Sequence, residues 1–261
     1  MKVEKLRMPF EVKRIRRQPG QSAGEKWRTI LDEESETVVS ALLGVAGVGI
    51  VAIIQSLGIV VPLWLFGMLF LGVICWMTFK MVMIRRRVRT WRLGENGEQY
   101  VGQMLERNMR PIGYDVFHDV VIKKAGRVFN LDHVLIGANG VYVVETKAWR
   151  KPVIGSPEIE FRDGCLYRMG HKIKNDAVNE AISLAKAANE LFFELTGRRY
   201  YVKPILVIAG WYCKCNNGRD MPCLLMNEKQ VGVWIKNDMP PSKIDSKDIE
   251  LLRIKLEQYD V

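Results

Sequence analysis

The pattern of apolar and polar positions divides the chain into two unlike parts. From Thr37 to Phe79 the sequence contains no charged residue, whereas helix-like and strand-like patterns alternate in the C-terminal part of the chain. A membrane-spanning helix needs about 20 consecutive apolar residues, so this run is long enough for two. The pattern therefore predicts a transmembrane helical hairpin, with spans of about Val38–Ile54 and Ile59–Phe79 joined by a turn at residues 55–58.

The distribution of charge agrees with a hairpin and limits what net charge says about partners. The chain carries 39 Lys and Arg against 29 Asp and Glu, a net charge of +10. Residues 1–92 contribute +8 of this excess, and residues 93–261 contribute +2. Basic flanks on both sides of a hairpin favour cytoplasmic ends, so we predict a two-span protein of the inner or cell membrane with both termini cytoplasmic. The excess is not evidence for nucleic-acid binding.

These patterns predict four regions. Residues 1–36 are a basic cytoplasmic segment, residues 37–83 the transmembrane hairpin, residues 84–92 a basic linker and residues 93–261 a folded domain. Small residues in the first span permit close helix contact, either inside the hairpin or between copies of the chain. We therefore expect the membrane as a partner, and we weigh an oligomer formed through these helices against packing within one hairpin.

The C-terminal region reads as helix, three strands, helix and strand, followed by a short strand and a final helix. This order predicts an α/β sheet that contains both antiparallel and parallel connections. The predicted ranges are 94–108 (helix), 114–122, 129–138 and 141–149 (strands), 176–195 (helix), 200–212 (strand), 230–237 (short strand) and 246–259 (helix).

Two of these strands place charged residues in otherwise apolar runs. The Asn-Gly pair at 139–140 is a strong signal for a two-residue hairpin loop. With that loop, Asp132 lies opposite Lys147, and Glu145 lies opposite Val134. Because side chains alternate between the faces of a strand, Asp132, Glu145 and Lys147 share one face of the sheet.

Two neighbouring carboxylates in a sheet cost free energy unless a cation neutralises them. Lys147 can offset one charge, and a purely structural ion-pair cluster is therefore one interpretation. A divalent cation would offset more, and Mg²⁺, with Mn²⁺ as the alternative, suits one or two carboxylates plus waters and a phosphate. Such a cation beside a lysine is suited to phosphodiester hydrolysis. The three residues alone leave both interpretations open.

A fourth acidic residue, Glu98, lies in the predicted helix that precedes the strands. The stretch from Gly94 to Val101 fits the pattern G-x-x-G-E-x-x-V. Together with Asn130-Leu131-Asp132-His133-Val134 and with Gly140-Val141-Tyr142-Val143-Val144-Glu145-Thr146-Lys147, it resembles the nuclease-related domain (NERD) family. This family is a branch of the restriction-endonuclease-like PD-(D/E)xK superfamily, and the resemblance covers roughly residues 92–212.

The resemblance implies a restriction-endonuclease-like core and a role for each acidic position. Asp132 and Glu145 match the metal-binding carboxylates, Lys147 matches the catalytic lysine, and Glu98 matches the helix carboxylate that completes the metal and catalytic site. The implied function is Mg²⁺-dependent cleavage of nucleic acid, DNA in preference to RNA, by a membrane-anchored nuclease. Because the superfamily includes members with no demonstrated catalysis, an inactive membrane-tethered module that binds nucleic acid or protein is the alternative.

The chain departs from the family at the start of the second predicted helix. The family pattern there resembles N-P-x-x-Q-A, whereas this chain reads Asn175-Asp176-Ala177-Val178-Asn179-Glu180-Ala181. Asp176 stands where Pro is usual, and Asn179 stands where Gln is usual. Asn is one methylene shorter than Gln, so a contact made by the longer amide does not transfer to this chain.

Three cysteines offer a second metal hypothesis. Cys213, Cys215 and Cys223 could bind zinc as thiolates, but they lack paired C-x-x-C knuckles, and reduced thiols are the preferred interpretation. A zinc-stabilised scaffold is the remaining rival. His133 and His171 are expected to be structural or close to substrate. The basic residues around the site are expected to form a solvated rim or to contact phosphates: Lys123, Lys124, Arg127, Arg150, Lys151, Lys172 and Lys174.

Overall fold

Two long helices open the described part of the chain. The computed structural model describes residues 17–56, 58, 62–124, 126–162, 165–174, 176–215, 222–238 and 243–259. Helix α1 spans Gln21–Ser56 and helix α2 spans Leu63–Met109. Pro62 immediately precedes α2, where its missing N–H leaves no helical hydrogen bond unmade. A short 3₁₀ turn, Arg110–Ile112, follows α2.

The predicted transmembrane hairpin is wrong. Within the described residues, neither helix offers a stretch that is both apolar enough and long enough to pass through a bilayer. The charge-free run is only part of each helix, and both helices extend beyond it into charged sequence. Helix α1 begins at Gln21, and α2 continues through residues 84–92 to Met109. The predicted two-span membrane localisation with cytoplasmic termini, and an oligomer built through membrane-spanning helices, are withdrawn with it.

The two ends of the helical pair differ in how they pack. Near the turn at Gly58 the side chains of Leu43, Ile53 and Met68 are exposed, so this end adds little to the core. At the opposite end Ala23 is buried, and the Trp27 indole N–H donates to Glu95 at 2.7 Å. The beginning of α1 is therefore packed on the inner part of α2.

A mixed sheet forms the centre of the fold. In the described residues it has five strands in the order β1-β2-β3-β7-β9, of which the first three are antiparallel and the last two run parallel to β3. These strands are β1 (Asp115–Lys124), β2 (Arg127–Gly137), β3 (Gly140–Lys147), β7 (Val202–Ile208) and β9 (Leu224–Met226).

Helices cover both faces of this sheet. Helices α3 (Asp176–Thr196) and α5 (Ser246–Tyr259) bury Phe192 and Leu252 against one face. Helix α2 and helix α4 (Glu228–Asn237) bury residues against the other face. Helix α3 also provides the crossover that a parallel neighbour of β3 requires. The mixed α/β architecture is therefore present, without the transmembrane hairpin that was predicted to precede it.

A second, smaller sheet was not predicted. Within the described residues it contains four short strands in the order β6-β5-β4-β8, and β4 and β8 are parallel. Strands of three to five residues give almost no alternation signal, which is why the sequence pattern missed them. The strands are β4 (Glu158–Arg162), β5 (Cys165–Arg168), β6 (His171–Ile173) and β8 (Tyr212–Cys215).

The segment predicted as a short strand at 230–237 is helical. Asn227 caps α4 by accepting hydrogen bonds from the backbone N–H groups of Lys229 and Gln230, and the Gln230 side chain accepts from the Asn227 N–H. This reciprocal capping box fixes a helix start. Val231 and Ile235, one helical turn apart, are the buried apolar positions. The alternation of apolar and polar residues at 230–237 was misleading, because the helix is fixed by its cap, Asn227, which lies before this segment.

Candidate active site

The hairpin between β2 and β3 turns one residue earlier than predicted. Gly137 pairs with Gly140, and residues 138–139 form the loop. Gly140 adopts φ 128, a value that favours glycine. Val134 consequently lies opposite Val143, and the next steps of the same register bring Asp132 opposite Glu145. Since the partner changes by two residues, every side chain keeps its predicted face.

Asp132 and Glu145 form a buried pair of carboxylates. Asp132 is 7% exposed and Glu145 is 4% exposed. Asp132 Oδ2 accepts a hydrogen bond from the Thr146 backbone N–H at 2.7 Å, and Glu145 Oε1 accepts from Lys147 Nζ at 2.7 Å. Glu145 Oε2 is buried and has no hydrogen-bond partner among the described residues. A buried oxygen left without a partner is costly and available to a positively charged ligand.

The acidic side chains raise one another's pKa values. Burial, followed by the charges of Glu145 and Glu98, raises the pKa of Asp132 well above its usual range. Burial also raises the pKa of Glu145, although Lys147 opposes the rise. For Glu98 burial is again the largest cause, and with the charges of Asp119 and Glu145 it raises the pKa to about 7. Without a cation, the fully ionised set is therefore unfavourable.

Lys147 bridges two carboxylates. Its Nζ lies 2.7 Å from Glu145 Oε1 and 2.7 Å from Glu180 Oε2, which belongs to α3. Burial would lower the pKa of this ammonium, but the two carboxylates outweigh burial and raise it. Lys147 is thus a cation in this arrangement.

Glu180 was not among the predicted site residues. The sequence feature that could have indicated Glu180 is the departure from the family pattern at the start of α3. In the structure Asp176 begins this helix, and Asn179, next to Glu180, is exposed. Asn175, the first residue of that pattern, lies outside the described residues.

Glu98 is held near the end of β3 by a close approach of α2. A Cβ atom added to Gly97 would lie 2.5 Å from the Cβ of Ala148, which follows Lys147 directly. The second glycine of the G-x-x-G-E pattern therefore allows the helix to touch the strand end at the position next to Glu98. The first glycine, Gly94, has open space around it.

Asp119 is a further acidic residue that the sequence analysis missed. It is 1% exposed and adopts φ 55, an uncommon conformation for a residue other than glycine. Its carboxylate lies 3.0 Å from Arg17 Nε and accepts hydrogen bonds from the Ser22 backbone N–H and the Asn130 amide. This contact joins the start of α1 to β1 near Glu98. The available signal was a charged residue inside the apolar run of a strand.

The histidines lie apart from the two carboxylates. His118 Nδ1 and His133 Nδ1 are 2.8 Å apart, and His118 Nε2 is 3.0 Å from Glu106 Oε1. Burial, with the charge of His118, lowers the pKa of His133 well below its usual value, so this ring is neutral and structural. His171 is exposed on β6.

The described residues form no closed metal site. No three His, Cys, Asp or Glu side chains in those residues converge as a ready metal cage. Burial raises the pKa values of Cys213 and Cys223 to about 12, which favours protonated thiols in the core. Asp132 and Glu145 are the buried, neighbouring carboxylates whose oxygen atoms could hold a cation.

An open cavity of about 360 Å³ lies on the α2 side of the sheet, and neither Asp132 nor Glu145 lines it. It runs between α2 and the residues that follow β3 and β7, and Tyr100, Trp149, Arg150 and Lys151 contribute to its lining. Lys124, another of the predicted basic residues, instead pairs with Glu190 and Glu194 on α3. Of the predicted basic residues, Arg150 and Lys151 thus line the cavity, whereas Lys124 belongs to a surface ion-pair cluster.

The fold and this acidic site define a nuclease-like α/β domain. Residues 93–209 match the family model described as the nuclease-related domain, NERD. This part of the chain is a nuclease-related domain of the restriction-endonuclease-like superfamily, and the predicted family is confirmed.

One curated relative shows how far sequence similarity extends. An uncharacterized protein of Bacillus anthracis is 35% identical over 74 residues, which are 28% of this chain and 34% of that protein. The chain therefore covers about a third of the length of this relative. No solved structure matches the chain significantly.

Proposed function

We propose that this domain hydrolyses phosphodiester bonds in nucleic acid, DNA in preference to RNA, with the help of a divalent cation. One observation carries the proposal: Asp132 and Glu145 are buried side by side, Glu145 Oε2 lacks a partner in the described part of the chain, and Lys147 touches the same carboxylate. A purely structural ion pair would satisfy both carboxylate oxygens or leave them in water.

The donor atoms fit a hard cation. Asp132 and Glu145 provide only oxygen, and Mg²⁺ is commonly held by one or two carboxylates together with waters and a substrate phosphate. Mn²⁺ should substitute for it in the same oxygen set. When bound, the cation would polarise a phosphoryl oxygen and stabilise the negative charge that develops during cleavage.

The remaining side chains have separable tasks. Lys147 stays charged and would orient the attacking water and stabilise the phosphate. Glu98, with a pKa of about 7, can accept or release a proton near neutral pH. Arg150 and Lys151 in the cavity would contact the backbone phosphates of the bound strand, and Tyr100 offers an aromatic face.

A binding module without turnover is the second candidate. Two observations favour it. Lys147 already forms ion pairs with two carboxylates, and no three side chains within the described residues form a metal-binding cluster. In that case nucleic acid would bind along Arg150 and Lys151 without a cation and without Glu145.

Cleavage should depend on both the cation and Lys147. Full-length protein incubated with linear, circular and single-stranded DNA and with RNA is expected to cut with Mg²⁺ or Mn²⁺ and to be inactive in EDTA. Lys147→Ala should lower the rate by about 10²- to 10⁴-fold, because it removes the group that orients water and stabilises the phosphate. The measurement is the initial rate on each substrate.

Lys186→Ala is the matched control, since Lys186 is an exposed lysine on α3. It should cut at the wild-type rate. If wild type cuts no faster than Lys147→Ala on every substrate, the domain is not a nuclease. Cation-independent binding that survives Glu145→Ala would then identify the binding module.

A further inference from the structure

Glu180 gives the site a third carboxylate that reaches Lys147 from a different element. Its Oε2 is as close to Lys147 Nζ as Glu145 Oε1 is, 2.7 Å in each case. The two carboxylates differ in setting, because the Glu145 side chain is 5% exposed while that of Glu180 is 50% exposed. In the family pattern quoted above, the corresponding position is alanine.

The backbone that carries Glu180 is fixed. Ala177, Val178 and Ala181 on the same turns of α3 are buried against the sheet. A carboxylate mounted on a packed helix has a short range of motion. Glu180 can therefore retain an amine at the mouth of the site without entering the buried pair itself.

We infer that Glu180 is a positioning residue that keeps Lys147 at the site when Glu145 binds a cation. The inference rests on the proposed function. A cation held by Asp132 and the free Oε2 of Glu145 would repel the ammonium group of Lys147 and weaken the attraction between Lys147 and Glu145. A lysine with no second partner would extend into solvent, since its side chain is flexible and already 26% exposed. Glu180 supplies that second partner.

The charges agree with this arrangement. When Asp132, Glu145 and Glu180 are ionised and Glu98, whose pKa is about 7, is protonated, Lys147 neutralises one of three negative charges, and two remain. Two is the charge of one divalent cation. Removing Glu180 would leave Lys147 and the cation competing for the remaining pair.

The first experiment measures how fast Lys147 is acylated, by mass spectrometry of the full-length protein, with exposed Lys186 as the internal reference. In wild type, Lys147 should stay protected with and without Mn²⁺. In Glu180→Gln it should stay protected without Mn²⁺, because Glu145 still holds it. With Mn²⁺ its labelling should rise several-fold. Glu190→Gln, which removes a surface charge from the same helix where Glu190 pairs with Lys124, should behave as wild type.

A second pair of variants tests the inference without any cation. Glu145→Gln leaves Glu180 as the one carboxylate among the described residues that pairs with Lys147, so Lys147 should remain protected. The double variant Glu145→Gln/Glu180→Gln should lose that protection. Equal labelling of Lys147 in the single and double variants would overturn the inference, whether or not the protein cleaves nucleic acid.

Kinetics separate positioning from general damage. If the domain is a nuclease, Glu180→Gln should lower kcat by about 10- to 100-fold, because a catalytic group displaced by about 1 Å loses that much. KM for DNA should change little, since the inferred role of Glu180 is to hold Lys147 and not to bind the strand. Glu180→Asp should recover part of the loss. If the wild type cleaves DNA and Glu180→Gln has the same kcat, the positioning role of Glu180 is contradicted, while the proposed function stands.

Discussion

Replacing Asp132 by Asn is expected to abolish cation-dependent cleavage and, at the same time, to make the cation-free protein more stable. Asn removes a buried negative charge next to Glu145 but keeps an oxygen that can accept the Thr146 backbone N–H. We expect a gain of about 1 kcal/mol in the free energy of unfolding at pH 8 in EDTA. Activity should fall by at least about 10³-fold, because half of the proposed cation site is lost.

The sign of the pH dependence follows from the raised pKa of Asp132. Between the ordinary carboxyl pKa and the raised value, the folded protein binds more protons than the unfolded chain does. The stability of the wild type therefore falls as pH rises through that interval. The advantage of Asp132→Asn over wild type should accordingly shrink as pH is lowered from 8, since the carboxyl of the wild type becomes protonated. Urea unfolding at several pH values measures this difference.

Addition of Mn²⁺ should reverse the order of stability. A ligand that binds only the folded state adds about 2.7 kcal/mol at 100 times its dissociation constant. Wild type should gain this stabilisation, and Asp132→Asn should gain almost none. Asp115→Asn, at the half-buried start of β1, is the control and should follow wild type in both conditions. A clear loss of stability for Asp132→Asn in EDTA would instead identify a structural carboxylate.

Pairing rules applied to one stretch of sequence predicted which face of the sheet carries the charges. Asp132, Glu145 and Lys147 share a face even though the loop was placed one residue too late. The error shifts each pairing partner by two residues, and residues two apart on a strand point to the same face. The direct neighbours, in contrast, depended on the loop itself. The Asn-Gly signal marked the turn, but its glycine became the first residue of β3 and not part of the loop.

Local sequence patterns could not predict contacts between segments that are distant in the chain. Arg17 and Asp119 are far apart in sequence, and only the packing of α1 on α2 brings them together. The Glu180 contact with Lys147 likewise depends on the register of α3 against β3. The transmembrane prediction erred for a related reason, since it treated the run of apolar residues as an independent unit, whereas the structure continues it into longer helices.

Gly97 and Gly94 should respond in opposite ways to the same substitution. Both lie inside α2, where replacing glycine by alanine normally stabilises a helix by about 0.5–1 kcal/mol. Gly94→Ala should show this gain with unchanged activity, because its added Cβ meets nothing within 4 Å. Gly97→Ala should lose about 1–3 kcal/mol, because its Cβ would lie 2.5 Å from that of Ala148. Thermal or urea unfolding of both variants measures the difference.

The loss in Gly97→Ala should extend to activity, and a second change should restore it. Relieving the clash requires α2 to move away from the end of β3, which carries Glu98 away from Glu145 and should lower the cleavage rate about 10- to 100-fold. In Gly97→Ala/Ala148→Gly the new methyl group would face the residue-148 Cα at 3.6 Å, an ordinary contact. Stability and rate should then recover together, with a coupling energy that the double-mutant cycle measures. Additive losses would show that the helix is not held against this strand end, and the placement of Glu98 in the site would fail with it.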